Sequence, residues 1–144
     1  MHEFLHIVCP NCDTINRVAG EKLTNVPKCG NCKEKLFQAH PVNLTGLNFQ
    51  KHIERNDIPV IVDFWASWCG PCKMMIPIFE KASANLEPFM RLAKVNTETE
   101  QAIAGQFGIQ AIPTIMIFKG GKEIASQPGA MDIDNLIKWI RSHV

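Results

Sequence analysis

The most constraining feature of this sequence is Cys69-Gly-Pro-Cys72, because the residues before and after it favour different secondary structures. Residues 59–66 form a nearly continuous apolar run rich in β-branched and aromatic side chains, which predicts a strand buried on both faces of a sheet. After the cysteines, apolar residues recur at three- and four-residue steps, the period of one helical face: Met75, Ile78, Phe79, Ala82 and Leu86. The two cysteines are therefore predicted to lie where a buried strand ends and a helix begins.

The start of a helix changes the chemistry of a cysteine. Unpaired backbone N–H groups and the positive end of the helix dipole favour negative charge there. Thiolate is the reactive form of cysteine, and a Cys-X-X-Cys at a helix start can have a pKa well below the free value of about 8.5. We predict that Cys69, which is nearer the helix start and follows Trp68, attacks a substrate disulfide, and that the more buried Cys72 then resolves the mixed disulfide.

Two other roles for this pair are less favoured by the sequence. A purely structural disulfide that closes so short a loop would constrain the unfolded chain very little. Half of a zinc site is the second alternative, but no further cysteine pair follows downstream. Reversible oxidation of the dithiol is the interpretation that fits a strand before the pair and a helix after it.

Asp63 interrupts the otherwise apolar strand that precedes the dithiol. A carboxyl group buried between Val62 and Phe64 should have a raised pKa, because burial disfavours its charged form. Such a group suits a general base near neutral pH, here for the thiol of Cys72. The alternative is a solvated or salt-bridged aspartate at the edge of a strand.

The first forty residues contain two further pairs, Cys9-Pro-Asn-Cys12 and Cys29-Gly-Asn-Cys32, with sixteen residues between them. This spacing is typical of a four-cysteine zinc site, although two disulfides or four free thiols are the alternative. So short a segment cannot bury enough apolar surface to fold alone, and one zinc ion would supply the missing free energy. Four protein ligands leave no open position, so we expect a structural zinc, with release by oxidants as a sharper hypothesis.

The chain divides into two predicted modules, a zinc ribbon over residues 1–40 and a redox domain over residues 41–144. His2, His6 and His40 fall outside the pair spacing and are expected to be exposed bystanders. In the redox domain, helical and strand patterns alternate. The spacing of Leu47, Phe49, His52 and Ile53 predicts one helix, and residues 98–107 predict another. A Gly120-Gly121 hairpin follows, and Asp132 is a candidate cap of the last helix. This order predicts an α/β fold with a mixed sheet and helices on both faces.

Charge and composition exclude several classes of function. The formal net charge is only +1 and both signs are mixed along the chain, so we expect no nucleic-acid partner. No apolar run approaches the roughly 20 residues that span a bilayer, and the first residues lack the features of a signal peptide. We therefore expect a cytoplasmic protein without a membrane partner. The chain also lacks a glycine-rich nucleotide fingerprint, which predicts neither bound nucleotide nor bound flavin.

The segment Trp68-Cys-Gly-Pro-Cys72 after Val62-Asp-Phe-Trp-Ala66 resembles the active-site segment of the thioredoxins, and the resemblance covers roughly residues 42–144. It continues through further matching positions: Lys73, Pro77, Lys94, Ile112-Pro113-Thr114, Gly120-Gly121 and Gly129. The resemblance implies the thioredoxin fold and a lysine, Lys94, near Asp63. It also implies a cis-proline at Pro113 that faces the dithiol.

Several functional expectations follow from that resemblance. Trp68, Ile112 and Gly129 would form a shallow apolar surface for protein substrates, and the backbone of Ile112 would bond to an extended substrate segment. The dipeptide Gly70-Pro71 is typical of reducing members of the superfamily. The resemblance further implies a thioredoxin reductase, drawing on NADPH, as the partner that regenerates the dithiol. We expect a monomer.

The leading hypothesis is thus a protein-disulfide reductase with a structural zinc ribbon at its N-terminus. A non-enzymatic adaptor, in which the ribbon docks a partner and the redox fold is a scaffold, is the main alternative. The intact dithiol counts against it, because a scaffold needs neither sulfur. A zinc-handling protein with readily exchangeable metal is the second alternative.

Overall fold

The computed structural model describes residues 3–144. The N-terminal module is built on an antiparallel pair of strands, β1 (Phe4–Val8) and β2 (Ile15–Ala19), followed by a short 3₁₀ helix over Gly20–Lys22. Its small apolar core contains Ile7, Leu23 and Leu36 together with Cys9 and Cys29. The cysteines are thus part of the only apolar cluster that this small module has among the described residues.

The remaining strands form one five-stranded sheet: β3 (Val42–Leu44), β4 (Val60–Trp65), β5 (Arg91–Asn96), β6 (Thr114–Lys119) and β7 (Lys122–Pro128). Their order is β3-β5-β4-β6-β7, in which β3, β5 and β4 are parallel and β6 and β7 are antiparallel to their neighbours. Within residues 3–144, four α-helices accompany the sheet: α1 (Phe49–Arg55), α2 (Gly70–Leu86), α3 (Gln101–Gln106) and α4 (Ile133–His143). The predicted mixed sheet is confirmed.

Strand β4 lies at the centre of two apolar layers, because its side chains alternate between the faces of the sheet. Val60, Val62 and Phe64 pack in the layer that also holds α1 and α3. Ile61 packs in the layer that holds α2 and α4. The continuous apolar run of this strand is thereby explained, and helices cover both faces as expected.

Local sequence signals identified most element ends. Asp132 caps α4, its side chain accepting a hydrogen bond of 2.8 Å from the backbone N–H of Asn135. Gly120 and Gly121 have φ values of 60° and 83°, as a tight hairpin turn requires. A β-carbon on Gly121 would also lie 2.7 Å from the Cγ of Glu54, so the turn packs too closely on α1 for a side chain.

Two predicted helix boundaries are wrong. Leu47 is 98% exposed and lies before α1, because Thr45 and Asn48 form a turn that delays the helix start to Phe49. The third helix, expected over residues 98–107, covers only Gln101–Gln106. Glu98 is instead held in a turn, where its backbone N–H donates to the side chain of Asn96 over 2.9 Å.

The ribbon is joined to the redox domain by a buried guanidinium. Arg91, at the first position of β5, is fully buried, and its Nη2 donates to the backbone oxygens of Val8, at 3.2 Å, and Leu36, at 2.8 Å. Its Nη1 forms an ion pair of 2.7 Å with Glu87, a residue that is nearly buried as well. One redox-domain side chain thus satisfies two carbonyl groups of the ribbon.

Further contacts join β1 of the ribbon to the segment that leads into β4. The side chain of Asn56 accepts from the N–H of Val8 over 2.8 Å, and Asp57 pairs with His6 over 3.0 Å. Asn56 and Asp57 precede β4, and Arg91 is the first residue of β5, which runs parallel to β4, whereas the dithiol follows β4. This part of the ribbon therefore lies at the opposite end of the sheet from the dithiol. His6 is a partner in this contact rather than a bystander, and His2 lies outside the described residues.

Candidate active site and four-cysteine cluster

The dithiol lies where the sequence predicts, at the start of α2. Cys69 is the N-cap of the helix, and its Sγ accepts a hydrogen bond of 3.2 Å from the backbone N–H of Cys72. The two cysteines are joined by a disulfide with their Cα atoms 5.2 Å apart. Pro71 occupies the first turn, where a missing N–H costs no helical hydrogen bond. The sulfur that caps the helix is thus placed where a negative charge is favoured.

The dithiol packs on apolar residues on one side and is flanked by exposed residues on the other. Cys69 and Cys72 are 4% and 2% exposed, so the expected difference in burial is slight in this oxidised state. They pack with Ala66 and Ile112 in a small cluster. Trp68, by contrast, is 72% exposed. Gly70 and Pro71 are exposed beside it, which leaves this side of the disulfide open to a partner.

Asp63 is buried in β4, as predicted, and its Oδ1 has no hydrogen-bond partner. Burial raises its pKa to about 7, while the nearby positive charge of Lys94 acts in the opposite direction. Lys94 lies on β5 beside Asp63 on the neighbouring strand β4, but no ion pair joins the two side chains in the described part of the chain. The Nζ of Lys94 instead lies 4.8 Å from the centre of the Trp65 ring.

A second segment approaches the dithiol from the strand β6 side. The Ile112–Pro113 peptide bond is cis, as the resemblance implies, and the carbonyl oxygen of Ile112 lies 3.6 Å from the Sγ of Cys69. The carbonyl of Pro113 accepts a hydrogen bond of 2.8 Å from Gly129. Gly129 has a φ of 94°, which favours glycine. The fold thereby brings Ile112, Pro113 and Gly129 together beside the disulfide.

A polar contact between Ser67 and Glu98 at this site is not predicted by any motif in the sequence. The carboxylate of Glu98 accepts hydrogen bonds from the backbone N–H of Ser67, at 2.5 Å, and from its hydroxyl, at 2.6 Å. These hydrogen bonds lower the pKa of Glu98. Because Ser67 directly precedes Trp68, the contact ties the loop that carries the exposed indole to the end of β5.

The four N-terminal cysteines converge on one point. Their Sγ atoms all lie within 4.8 Å of one another, and the pairs Cys9–Cys32 and Cys12–Cys29 are 3.6 Å apart. These distances are too long for disulfides, and they approach the edge of about 3.8 Å expected for a tetrahedron of thiolates around zinc. The residues present therefore fit a four-coordinate zinc ion. No other cluster of potential metal ligands occurs among residues 3–144.

Comparison with known proteins assigns both modules. Residues 40–142 match the family model described as Thioredoxin, and residues 8–34 match the model described as Thioredoxin 2, N-terminal, a zinc ribbon. No helix in the described range is long and apolar enough to cross a membrane.

Relatives and a solved structure give the same assignment. Thioredoxin C-3 of Corynebacterium nephridii is 39% identical over 134 residues, which are 93% of this chain and 92% of that protein. A thioredoxin of Rickettsia bellii is 38% identical over 102 residues, which are 71% of this chain and 97% of its own length. The structure of a thioredoxin variant from Halobacterium salinarum superimposes with a TM-score of 0.66 at 30% identity, covering 73% of this chain and 91% of that one. The chain therefore belongs to the thioredoxin family of thiol–disulfide oxidoreductases and carries an N-terminal ribbon of the thioredoxin 2 type.

Proposed function

We propose that the protein reduces disulfides in other proteins through Cys69 and Cys72. The observation that carries this proposal is the position of Cys69, whose sulfur caps α2 beside Ile112 and an open, apolar surface. In the reduced protein the Cys69 thiolate attacks one substrate sulfur and expels the other as a thiolate. The Cys72 thiolate then attacks Cys69, which releases the second substrate thiol. Two electrons pass to the substrate, and the Cys69–Cys72 disulfide is the product.

Asp63 is the proposed base for the second step. Its pKa of about 7 means that the carboxyl group exchanges a proton near neutral pH, where Cys72 must lose one. Lys94 is proposed to favour the charged form of this carboxyl group, consistent with the sign of its effect on that pKa. In this role Lys94 tunes the base and does not touch the substrate.

The substrate surface is proposed to surround the disulfide on its open side, with six residues: Trp68, Gly70, Pro71, Ile112, Pro113 and Gly129. The exposed indole of Trp68 would supply apolar contact area, while the backbone around Ile112 would pair with an extended substrate segment. Such a surface contacts backbone and apolar groups, which every unfolded or flexible disulfide-bearing segment offers. It suits many protein substrates.

Regeneration is assigned to a thioredoxin reductase that draws on NADPH, a partner that the family implies. The dipeptide Gly70-Pro71 supports the reducing direction, and we place the protein in the cytoplasm, acting as a monomer. The module boundary between residues 40 and 41, and the absence of a bound nucleotide or flavin, stay predictions.

For the four-cysteine cluster we propose one structural zinc, held by Cys9, Cys12, Cys29 and Cys32. The zinc would supply folding free energy to a ribbon whose apolar core is small. The sharper hypothesis, that oxidants release this zinc, can be tested by peroxide titration with a zinc-sensitive dye. It is rejected if zinc stays bound while Cys69 and Cys72 oxidise.

A reductase assay separates this function from its rivals. Dithiothreitol-driven reduction of a disulfide-containing model protein should be lost in Cys69→Ser, whose zinc content should match that of the parent protein. Unchanged reduction by Cys69→Ser would leave the adaptor role, in which neither sulfur is needed. Rapid loss of zinc to a weak chelator would instead favour zinc handling.

A further inference from the structure

Each cysteine pair of the ribbon encloses an asparagine whose side chain reaches across to the other pair. The Nδ2 of Asn11 lies 3.5 Å from the Sγ of Cys32, and the Nδ2 of Asn31 lies 3.6 Å from the Sγ of Cys12. The two contacts are reciprocal, because each cysteine pair supplies a side-chain amide that contacts the second cysteine of the other pair.

The first cysteine of each pair accepts a hydrogen bond from a backbone N–H group. The N–H of Asn11 donates to the Sγ of Cys9 over 3.3 Å, and the N–H of Asn31 donates to the Sγ of Cys29 over 3.4 Å. Every sulfur of the cluster therefore has an N–H group within hydrogen-bond distance. The backbone donors come with the turn itself, whereas the side-chain donors depend on asparagine. Besides Asn11 and Asn31, Asn16 supplies a third such donor, whose Nδ2 lies 3.4 Å from the Sγ of Cys29.

These hydrogen bonds bear directly on thiolate reactivity. A thiolate attacks through a sulfur lone pair, and an N–H group bonded to that sulfur withdraws electron density from it. An amide does so without adding charge. It therefore lowers the nucleophilicity of the sulfur and leaves the charges of the neighbouring residues unchanged. Ligands around a metal are tuned by such outer contacts as well as by the metal itself.

We propose that Asn11 and Asn31 are specificity-determining residues that make the ribbon thiolates poor nucleophiles, so that disulfides and electrophiles react at Cys69. This inference rests on the proposed function, because it takes the cluster as a zinc site and Cys69 as the exchanging thiol. It adds a reason why one chain can hold four thiolates permanently and still direct exchange to a fifth sulfur.

The test uses the full zinc-loaded chain in its Cys69–Cys72 disulfide form, so that the ribbon cysteines are the only thiolates that can react. Iodoacetamide forms a new S–C bond at a ribbon thiolate, iodide leaves with the electrons of the C–I bond, and zinc loses a ligand. Zinc release, followed with a chromogenic chelator, is measured against iodoacetamide concentration. The slope reports thiolate nucleophilicity, whereas the intercept reports spontaneous dissociation of zinc.

Asn11→Ala and Asn31→Ala should each raise the slope about threefold, and the double variant about tenfold, as expected for the loss of one and two modest hydrogen bonds. Asn25→Ala is the matched control: this exposed ribbon asparagine makes no side-chain contact with a cysteine among the described residues, and its slope should equal that of the parent. With Co²⁺ in place of zinc, the sulfur-to-metal charge-transfer band should move to longer wavelength in the double variant. The reason is that the sulfur lone pairs rise in energy when they lose these hydrogen bonds.

A merely structural role for the asparagines gives a different pattern. An unchanged slope with a raised intercept would overturn the proposal, as would a double variant that no longer binds zinc, because the asparagines would then assemble the site and not tune it. Different results would reject the proposed function itself: a parent chain that binds no zinc, or a Cys69→Ser variant that still reduces disulfides.

Discussion

The redox dithiol and the ribbon cluster are both built from Cys-X-X-Cys, yet their surroundings differ. Cys69 caps a helix next to an exposed tryptophan and has its partner sulfur three residues away. The ribbon pairs lie instead in turns, and each sulfur faces a cysteine of the opposite pair across 3.6 Å. Spacing alone therefore does not decide what a cysteine pair does. A helix start with an open side favours exchange, whereas four sulfurs held toward one point favour a metal.

Substitution of one sulfur in each region should have the largest effect and separate the two roles. Cys69→Ser should lower disulfide reduction about a thousandfold or more, because the remaining Cys72 has no second sulfur to release the substrate from a mixed disulfide. Its matched variant, Cys12→Ser, should lose zinc but keep a reactive Cys69. Reductase assays and zinc quantification on both proteins check this. Loss of zinc in Cys69→Ser would show that the two regions do not have separate roles.

Removal of the guanidinium that joins the two regions should have the next largest effect. Arg91→Met leaves Glu87 buried without its partner and two ribbon carbonyls without a donor, at a cost of about 3–5 kcal/mol in free energy of unfolding. Denaturant unfolding measures this cost, with the exposed Arg55→Met as the control.

A double variant tests whether the unpaired charge of Glu87 causes part of the loss in stability. Adding Glu87→Gln to Arg91→Met removes the unpaired charge while keeping an oxygen that can accept from the N–H of Ala39, a contact of 2.8 Å. Part of the lost stability should return. If Arg91→Met unfolds no more easily than Arg55→Met, the ribbon is not fixed to the redox domain through this residue.

Asp63→Asn tests the chemistry of the dithiol without touching the ribbon. Turnover should fall about 10- to 100-fold through loss of the base, while zinc content stays unchanged. The raised pKa of Asp63, about 7, means that the folded state holds a proton that the unfolded state gives up near pH 4. Stability should thus fall as pH rises from about 4 to about 7, and Asp63→Asn should remove this slope. Equal turnover at every pH would exclude Asp63 from the mechanism.

The smallest expected effect concerns the loop that carries Trp68. Glu98→Gln keeps the size of the side chain but replaces a charged acceptor with a neutral one for two hydrogen bonds of Ser67. We expect KM for a protein disulfide to rise about threefold with little change in kcat, and a change in Trp68 fluorescence. An unchanged KM would show that Glu98 does not position the substrate surface.

Much of this architecture was predictable because its signals are local. The apolar run before Cys69, the helical period after Cys72, the glycine pair of the hairpin and the Asp132 cap each act within a few residues. The periodic apolar pattern was also the source of an error, since Leu47 belongs to a turn and its side chain is exposed.

The attachment of the ribbon was not predictable in this way. Arg91 reads as an ordinary polar residue at the start of a strand, but its acceptors at Val8 and Leu36 are 83 and 55 residues away in the chain. The contact between Ser67 and Glu98 likewise spans 31 residues. Such contacts depend on which elements the fold brings together, and no short motif encodes them.

The dithiol and the ribbon cysteines are proposed to differ in reactivity within one molecule. The most direct test is the pH dependence of alkylation of the fully reduced, zinc-loaded protein, with each cysteine quantified by peptide mass spectrometry. We predict that Cys69 is alkylated first, with a midpoint below about 8.5, while all four ribbon cysteines stay protected. If Cys69 reacts no faster than free cysteine, or if the ribbon thiolates react alongside it, the proposed difference in reactivity is contradicted.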